Sequence, residues 1–255
     1  MTKRMSQGGA FLFASALLVP APRAVACDPP ALFDYVHAFA GEAAWEGAAD
    51  TPCSLRTTLA SGGYVPWASG FANMRLPASE AHLRLHFHLD LTDLAPPVID
   101  PAQTVTFAKM VATSATTVNP AMRKTASIAS ILLWQTDSDG VVSRTFLLAA
   151  VDAMSPVGWT GIEVPLPASN AFDVDFDVLV GPAGSVKLWI DGDPEASPPT
   201  VQLNVVNSAW SGIAGAAIGQ FDATANYLAA QSGRNVVLSD IRVPRPDFIF
   251  HDRFE

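Results

Sequence analysis

The chain is poor in the residues that most often betray a function. It has two cysteines, three tyrosines and only 15 lysines or arginines in 255 residues. It contains no G-x-S-x-G or H-E-x-x-H motif and no cysteine in a catalytic histidine context, which removes the best-marked hydrolase and metalloprotease signatures. Gly212, Gly215 and Gly219 follow neither the dinucleotide fingerprint nor the phosphate-loop spacing, and the lysine of that loop is missing. No segment holds a helical period between two caps, so an α/β architecture is not expected. The most apolar stretch, residues 10–19, is about half the roughly 20 residues that a membrane-spanning helix needs.

That apolar stretch reads instead as an export signal. Lys3 and Arg4 precede it, Pro20 and Pro22 break it, and Ala24-Val25-Ala26 supplies a small-x-small cleavage site. Cleavage after residue 26 leaves 229 residues beginning at Cys27. Removing Lys3, Arg4 and Arg23 also leaves 12 basic residues against 24 acidic ones, a net charge of −12. A surface so acidic repels phosphate backbones and anionic headgroups, which argues against nucleic acid or a membrane surface as partner. The apolar content, 49% against 15% charged, is that of a chain with a core rather than a disordered one.

Cys27 and Cys53 form an even pair in an oxidising compartment, and a disulfide between them is the expectation. The alternative is a lipoprotein acylated at Cys27. The residue three before that cysteine is Ala24 where Leu is usual, and acylation would leave Cys53 unpaired.

What the chain has is strand patterns separated by turn residues. From His82 to Leu91 one parity is Leu83, Leu85, Phe87, Leu89 and Leu91, while the other is His82, Arg84, His86, His88 and Asp90. So strict a period of two marks a half-buried strand. Residues 128–135 and 141–151 flank Asp137-Ser138-Asp139-Gly140 as a β-hairpin, and residues 172–180 and 185–190 make another. Further strands are expected at 104–112, 161–166, 201–206, 214–221 and 236–243. The expected organisation is a signal peptide over 1–26, an irregular segment over 27–60, a β-sandwich over 61–245 and a tail over 246–255.

Within this pattern Gly184-Ser185-Val186-Lys187-Leu188-Trp189-Ile190-Asp191-Gly192 resembles the G-x-h-x-L-W/Y-h-D-G hairpin of concanavalin A-like and laminin-G-like sandwiches. Residues 80–90, 217–219 and 237–241 are similar to the early and closing strands of uncharacterised secreted bacterial members of that superfamily, so the likeness spans about residues 60–243. It implies an all-β jelly-roll sandwich of two antiparallel sheets. The ending Phe248-Ile249-Phe250-His251-Asp252-Arg253-Phe254-Glu255 resembles an F-x-D-G-F-E terminus of some secreted bacterial proteins, with Arg253 in place of Gly.

Candidate chemistry is sparse. His86 and His88 project from one strand face about 6.5–7 Å apart and could supply two zinc ligands, but no third is evident, and the alternation explains them as a solvated polar stripe without any metal. Asp173, Asp175 and Asp177 share a strand face and are similar to the E-x-D-x-E strand of retaining glucanases in the same superfamily. All three are short acids, however, and their strand feeds the LWIDG hairpin rather than lying upstream of it, so a solvent-facing acidic stripe is expected. Asp137-Ser138-Asp139-Gly140 is half a calcium loop without its distal Glu, so neither calcium nor zinc has a complete motif and no cofactor is expected. Trp67, Trp159 and Trp210 lie beside turns, where an indole could stack on a sugar. With no catalytic constellation in view, the expectation leans away from an enzyme. The reading is a secreted, non-catalytic module binding extracellular glycan or protein; the alternatives are a structural surface protein and a glycan hydrolase or lyase with a degenerate carboxylate site.

Overall fold

Each long strand of this chain offers one apolar face and one mixed face, so two sheets must close their apolar faces on each other. The computed structural model describes residues 27–30, 32–33, 35–60, 68–96, 103–114, 125–138 and 141–244. In chain order the strands are β1 (Tyr35–Phe39), β2 (Gly41–Glu46), β3 (Ser54–Leu59), β4 (Ser69–Glu80), β5 (His82–Asp90), β6 (Gln103–Ser114) and β7 (Thr125–Ser138). They continue as β8 (Val141–Val151), β9 (Trp159–Pro165), β10 (Ala171–Leu179), β11 (Gly184–Ile190), β12 (Val201–Val205), β13 (Trp210–Phe221) and β14 (Asn235–Arg242), with one helix, α1 (Ala225–Gln231), before the last.

Two seven-stranded antiparallel sheets result, ordered β1-β4-β13-β6-β7-β8-β9 and β12-β11-β10-β5-β14-β3-β2. This is an all-β jelly-roll sandwich of two antiparallel sheets. The second sheet contributes Leu83, Leu85, Phe87 and Leu89 from β5 and Phe172, Val174, Phe176 and Val178 from β10, all 2% exposed or less. The first sheet answers with Met74, Phe107, Met110, Ile131, Leu133, Phe146, Leu148 and Ile218 in the same core.

One buried polar link joins the layers. The Gln220 side-chain amide on β13 donates to the Thr57 carbonyl and hydroxyl on β3, each at 3.0 Å, and the Tyr227 hydroxyl of α1 donates to Gln220 Oε1 at 2.9 Å. Burial pushes the Tyr227 phenol far up, which keeps it a neutral donor. Every group in this link is satisfied, so it fixes the layers without the cost of an unpaired polar atom.

Three sequence expectations change here. Residues 27–60 are not irregular: they supply β1, β2 and β3, one strand to the first sheet and two to the second. Their short, weakly alternating runs are legible only once neighbouring strands supply the other half of the pattern. Helix α1, seven residues capped by the Thr224 side chain on the Tyr227 amide, is too short for a periodic signal. The expected disulfide is present: Cys27 and Cys53 are bonded with Cα atoms 5.2 Å apart, which leaves Cys27 no free thiol for acylation. Residues 1–26, Trp67, Asp139, Gly140 and the tail over 246–255 lie outside the described residues. Among the described residues no helix is long and apolar enough to cross a membrane.

Phe87 is fully buried at the centre of the second sheet. Phe87→Ala is expected to cost about 3–5 kcal/mol in denaturant unfolding. The disulfide closes a loop of 26 residues in sequence separation, so its reduction should cost about 3 kcal/mol in the same assay. A loss below about 1 kcal/mol in either case would show that the core or the bridge does not hold the fold as described.

Candidate functional site

The sandwich leaves two outer faces, and they differ chemically. On the second sheet the polar parities of β5 and β10 lie in register: Asp177 opposite Arg84, Asp175 opposite His86 and Asp173 opposite His88. The histidine stripe and the aspartate stripe therefore form one ladder of pairs. Nδ1 of His86 meets Asp175 at 2.9 Å, Nδ1 of His88 meets Asp173 at 2.7 Å, and Asp177 takes both His82 at 2.7 Å and Arg84 at 3.1 Å. Arg84 also reaches Glu195 at 2.6 Å and lies 5.6 Å from the centre of the Trp189 ring. Asp175 and Asp177 are 5% and 2% exposed, so the expected solvent-facing acidic stripe is instead a partly sunken, neutralised ladder. His86 and His88 spend a nitrogen each on separate aspartates rather than converging. Among the described residues no three His, Cys, Asp or Glu side chains gather to hold a metal ion.

The electrostatics follow from the pairing. The hydrogen bond to Asp175, reinforced by that carboxylate's charge, outweighs burial and the nearby Arg242 and raises the His86 pKa. Burial alone would push Asp177 up, but hydrogen bonds and charge from His82 and Arg84 win and lower it. Burial opposes the charge on Arg84 as well, and its bonds to Glu195 and Asp177 more than compensate.

The outer face of the first sheet follows from the same parity rule. Ala72, Met74, Ala216, Ile218 and Met110 point into the core, so Phe71, Asn73 and Arg75 of β4, Ala217 of β13 and Lys109 of β6 point out. At the β1 edge, Tyr35 stands opposite Asn73 and His37 opposite Phe71. Aromatic contacts run across the strands: Tyr35 stacks on His37 at 6.3 Å, His37 meets Phe71 at 5.1 Å, and Phe71 meets Phe221 at 5.5 Å. Lys109 lies 4.3 Å over the Phe221 ring and 3.8 Å from Asp222. The Tyr35 hydroxyl, the His37 ring nitrogens, the Asn73 amide and the Arg75 guanidinium make no hydrogen bond or ion pair among the described residues. Polar groups with their hydrogen-bonding capacity unspent, two of them on rings held in an aromatic row, are available to a ligand.

In register beyond Lys109 come Ser130, Ala149 and Gly161, a strip of short side chains over β7, β8 and β9. Trp159 lies two residues along β9 from Gly161 on the same parity, 42% exposed. Trp210, at the start of β13, is partly buried and packs against the core. The sequence reading missed Tyr35, His37, Asn73 and Arg75. The usable signal was the alternation Tyr35, His37, Phe39, present in a segment too short to be read as a strand by itself.

The pairing on the second sheet predicts a pH profile. A raised His86 pKa contributes stability that is full below the unfolded histidine value of about 6.5 and is lost as pH climbs through the folded value. A lowered Asp177 pKa contributes stability present above about 3.9 and lost as pH falls through its folded value. Asp175→Asn should therefore flatten the alkaline limb of a denaturant-midpoint profile, and Asp177→Asn the acid limb. Limbs of parental slope in these variants would assign the pH dependence to other groups.

No family model and no curated protein matches the sequence. Solved structures do match the fold. The PL-14 alginate lyase from Aplysia kurodai is similar with a TM-score of 0.52 and 12% identity, over 80% of this chain and 87% of that one. The alginate lyase Aly36B, as a double mutant in complex with an alginate tetrasaccharide, is similar with a TM-score of 0.50 and 12% identity, over 75% of this chain and 80% of that one. At such identity these likenesses establish the sandwich itself. They also correct the expectation of a non-catalytic module and the lean away from an enzyme, since both of these solved sandwiches are alginate lyases.

Proposed function

We propose that the chain is a secreted polysaccharide lyase of the concanavalin A-like, secreted bacterial kind, cleaving a uronate-containing glycan at the β1–β4 edge of the first sheet. The observation that carries this is that Tyr35 and His37, held in an aromatic row, share one sheet face with Asn73 and Arg75, the polar atoms of all four being uncommitted among the described residues. Elimination at a uronate removes the proton α to the carboxylate. The electron pair forms a carbon–carbon double bond, the glycosidic carbon–oxygen bond breaks, and the departing oxygen takes up a proton. The reaction therefore needs donors that neutralise the carboxylate and stabilise the enolate-like charge, and groups that move protons.

Asn73 and Arg75 are the neutralising donors in this reading, two residues apart on one face of β4. Tyr35, directly opposite Asn73, and His37 beside it are the proton-transfer groups. Lys109 adds positive charge two strands further in, on a protein otherwise strongly acidic. Trp159, six strand spacings or about 29 Å from β1, offers a stacking platform for a distant sugar of the same polymer. The export signal and the disulfide suit an extracellular enzyme built as one sandwich domain.

The test uses the mature chain with a panel of polyuronates, following the ultraviolet absorbance of the conjugated double bond at the new chain end. Tyr35→Phe and His37→Ala should each lower kcat about 10²–10⁴-fold with the fold intact. Arg75→Ala should raise KM as well. A parent protein that releases no unsaturated product from any polyuronate, or variants that turn over at the parental rate, would remove the lyase reading.

A further inference from the structure

The second sheet carries a cleft that the proposed chemistry does not use. It encloses about 340 Å³ between the β5–β10 ladder, the turn after β11 and the end of β14, lined by Arg84, His86, Asp175, Asp193, Glu195 and Arg242 among others. That volume accommodates a single ring-sized ligand. Its β14 wall is irregular. The pairing of β14 with β5 loses register between Ser239 and Arg242, and within this bulge Asp240 adopts a positive φ of 48°. Non-glycine residues rarely occupy that region, although aspartate tolerates it better than most. Bulges of this sort commonly re-aim side chains next to functional sites.

The bulge brings a carboxylate onto two nitrogens. Oδ2 of Asp240 accepts from Nη2 of Arg242 and lies 3.5 Å from Nε2 of His86. The same Arg242 nitrogen lies 3.2 Å from that His86 nitrogen. His86 is oriented from behind by Asp175 at 2.9 Å, so the imidazole edge is fixed. Arg84, on the adjoining wall, is already bound to Asp177 and Glu195 and is not free to compensate another anion. Asp240 is half-exposed, and among the described residues its carboxylate meets no partner besides Arg242 and His86. A strained, solvent-accessible aspartate thus fills a carboxylate seat formed by Arg242 and the His86 edge.

We infer that this cleft is a second ligand site, one that takes the carboxylate of a small ring-sized organic acid, and that Asp240 occupies the seat as an internal stand-in. The incoming carboxylate replaces one of equal charge, while Asp240 turns out to solvent with little to lose. Because Asp240 is two residues from Arg242, it competes at high effective concentration and keeps affinity in the parent low. The inference stands apart from the lyase reading, whose residues lie on the other sheet.

The experiment is an NMR titration of the full mature chain, its Asp240→Asn variant and the Asp240→Asn/Arg242→Gln double variant with glucuronate, glucose and acetate. Asp240→Asn should bind glucuronate at least tenfold more tightly than the parent, with shifts in Gly192, Glu195 and His86 signals. Glucose should not bind, and the double variant should lose the gain. Acetate binding comparable to glucuronate would support a seat that reads the carboxylate alone, and its absence one that also reads the ring. Equal glucuronate affinity in parent and Asp240→Asn, or glucose binding as strong as glucuronate, would overturn the proposal. His37→Ala, which tests the lyase, leaves this binding untouched, so the two ideas fail separately.

Discussion

Outside their bulges the long strands of this protein follow a period of two, and the fold depends on that constraint more than on any single contact. Alternate residues fill one shared core, so the remaining residues are committed to an outer face before any function is considered. A slip of one residue in β5 would bury His86 and expose Phe87 together. The buried run from Leu83 to Leu89 facing Phe172 to Val178 therefore fixes more than stability. It determines that three aspartates of β10 stand opposite Arg84, His86 and His88, and that the two stripes neutralise each other.

The outer faces resolve the same geometry in opposite ways. On the second sheet, cross-strand register turns two charged stripes into hydrogen-bonded pairs, two of whose acids are almost wholly buried. Such a ladder specifies register strongly, because displaced pairing would leave sunken carboxylates without partners. On the first sheet the β1–β4 edge presents Tyr35, His37, Asn73 and Arg75, whose polar atoms are unspent among the described residues. Function fits better where polar groups are held in place but unspent, which is why the proposed chemistry lies there although the histidine stripe is the more conspicuous sequence feature.

What was legible in the sequence divides along physical lines. The strands with strict alternation or long apolar runs, such as His82–Asp90 and the 172–190 hairpin, declared themselves because periodicity is a local property. The His–Asp ladder did not, since it depends on which strands become neighbours, and β5 and β10 are separated by some 80 residues of chain. Each stripe read alone looked like solvated surface. β1 to β3 were hidden for the same reason: five or six residues carry too few alternations to stand out, and their burial is completed by β4 and β14. The cysteine pair was legible because two residues allow one connectivity. Of the aromatic candidates, exposure of Trp159 and packing of Trp210 were separable only by knowing that β9 is an edge strand and β13 a central one.

An edge strand is a weak place to position catalytic groups, since β1 has a hydrogen-bonded neighbour on one side only. Its precision must come from elsewhere, and the chain supplies two restraints. Between Phe39 and Gly41 the backbone leaves the first sheet and enters the second, turning at Ala40 with a φ of 50°. The Ala40 carbonyl is held there by the Ala60 amide at 2.9 Å. A Cβ at Gly41 would come within 2.2 Å of the Thr58 carbonyl oxygen, so only glycine permits this close approach to β3. One end of β1 is thus clamped to the opposite layer, while its face is locked by the ring contacts from Tyr35 through His37 to Phe71 and Phe221. The second layer in turn is tied to the first by Gln220, the residue just before Phe221 on β13. The corner, the aromatic row and the buried amide meet around one end of the sandwich, so the exposed edge inherits the rigidity of both sheets instead of the looseness of a terminal strand.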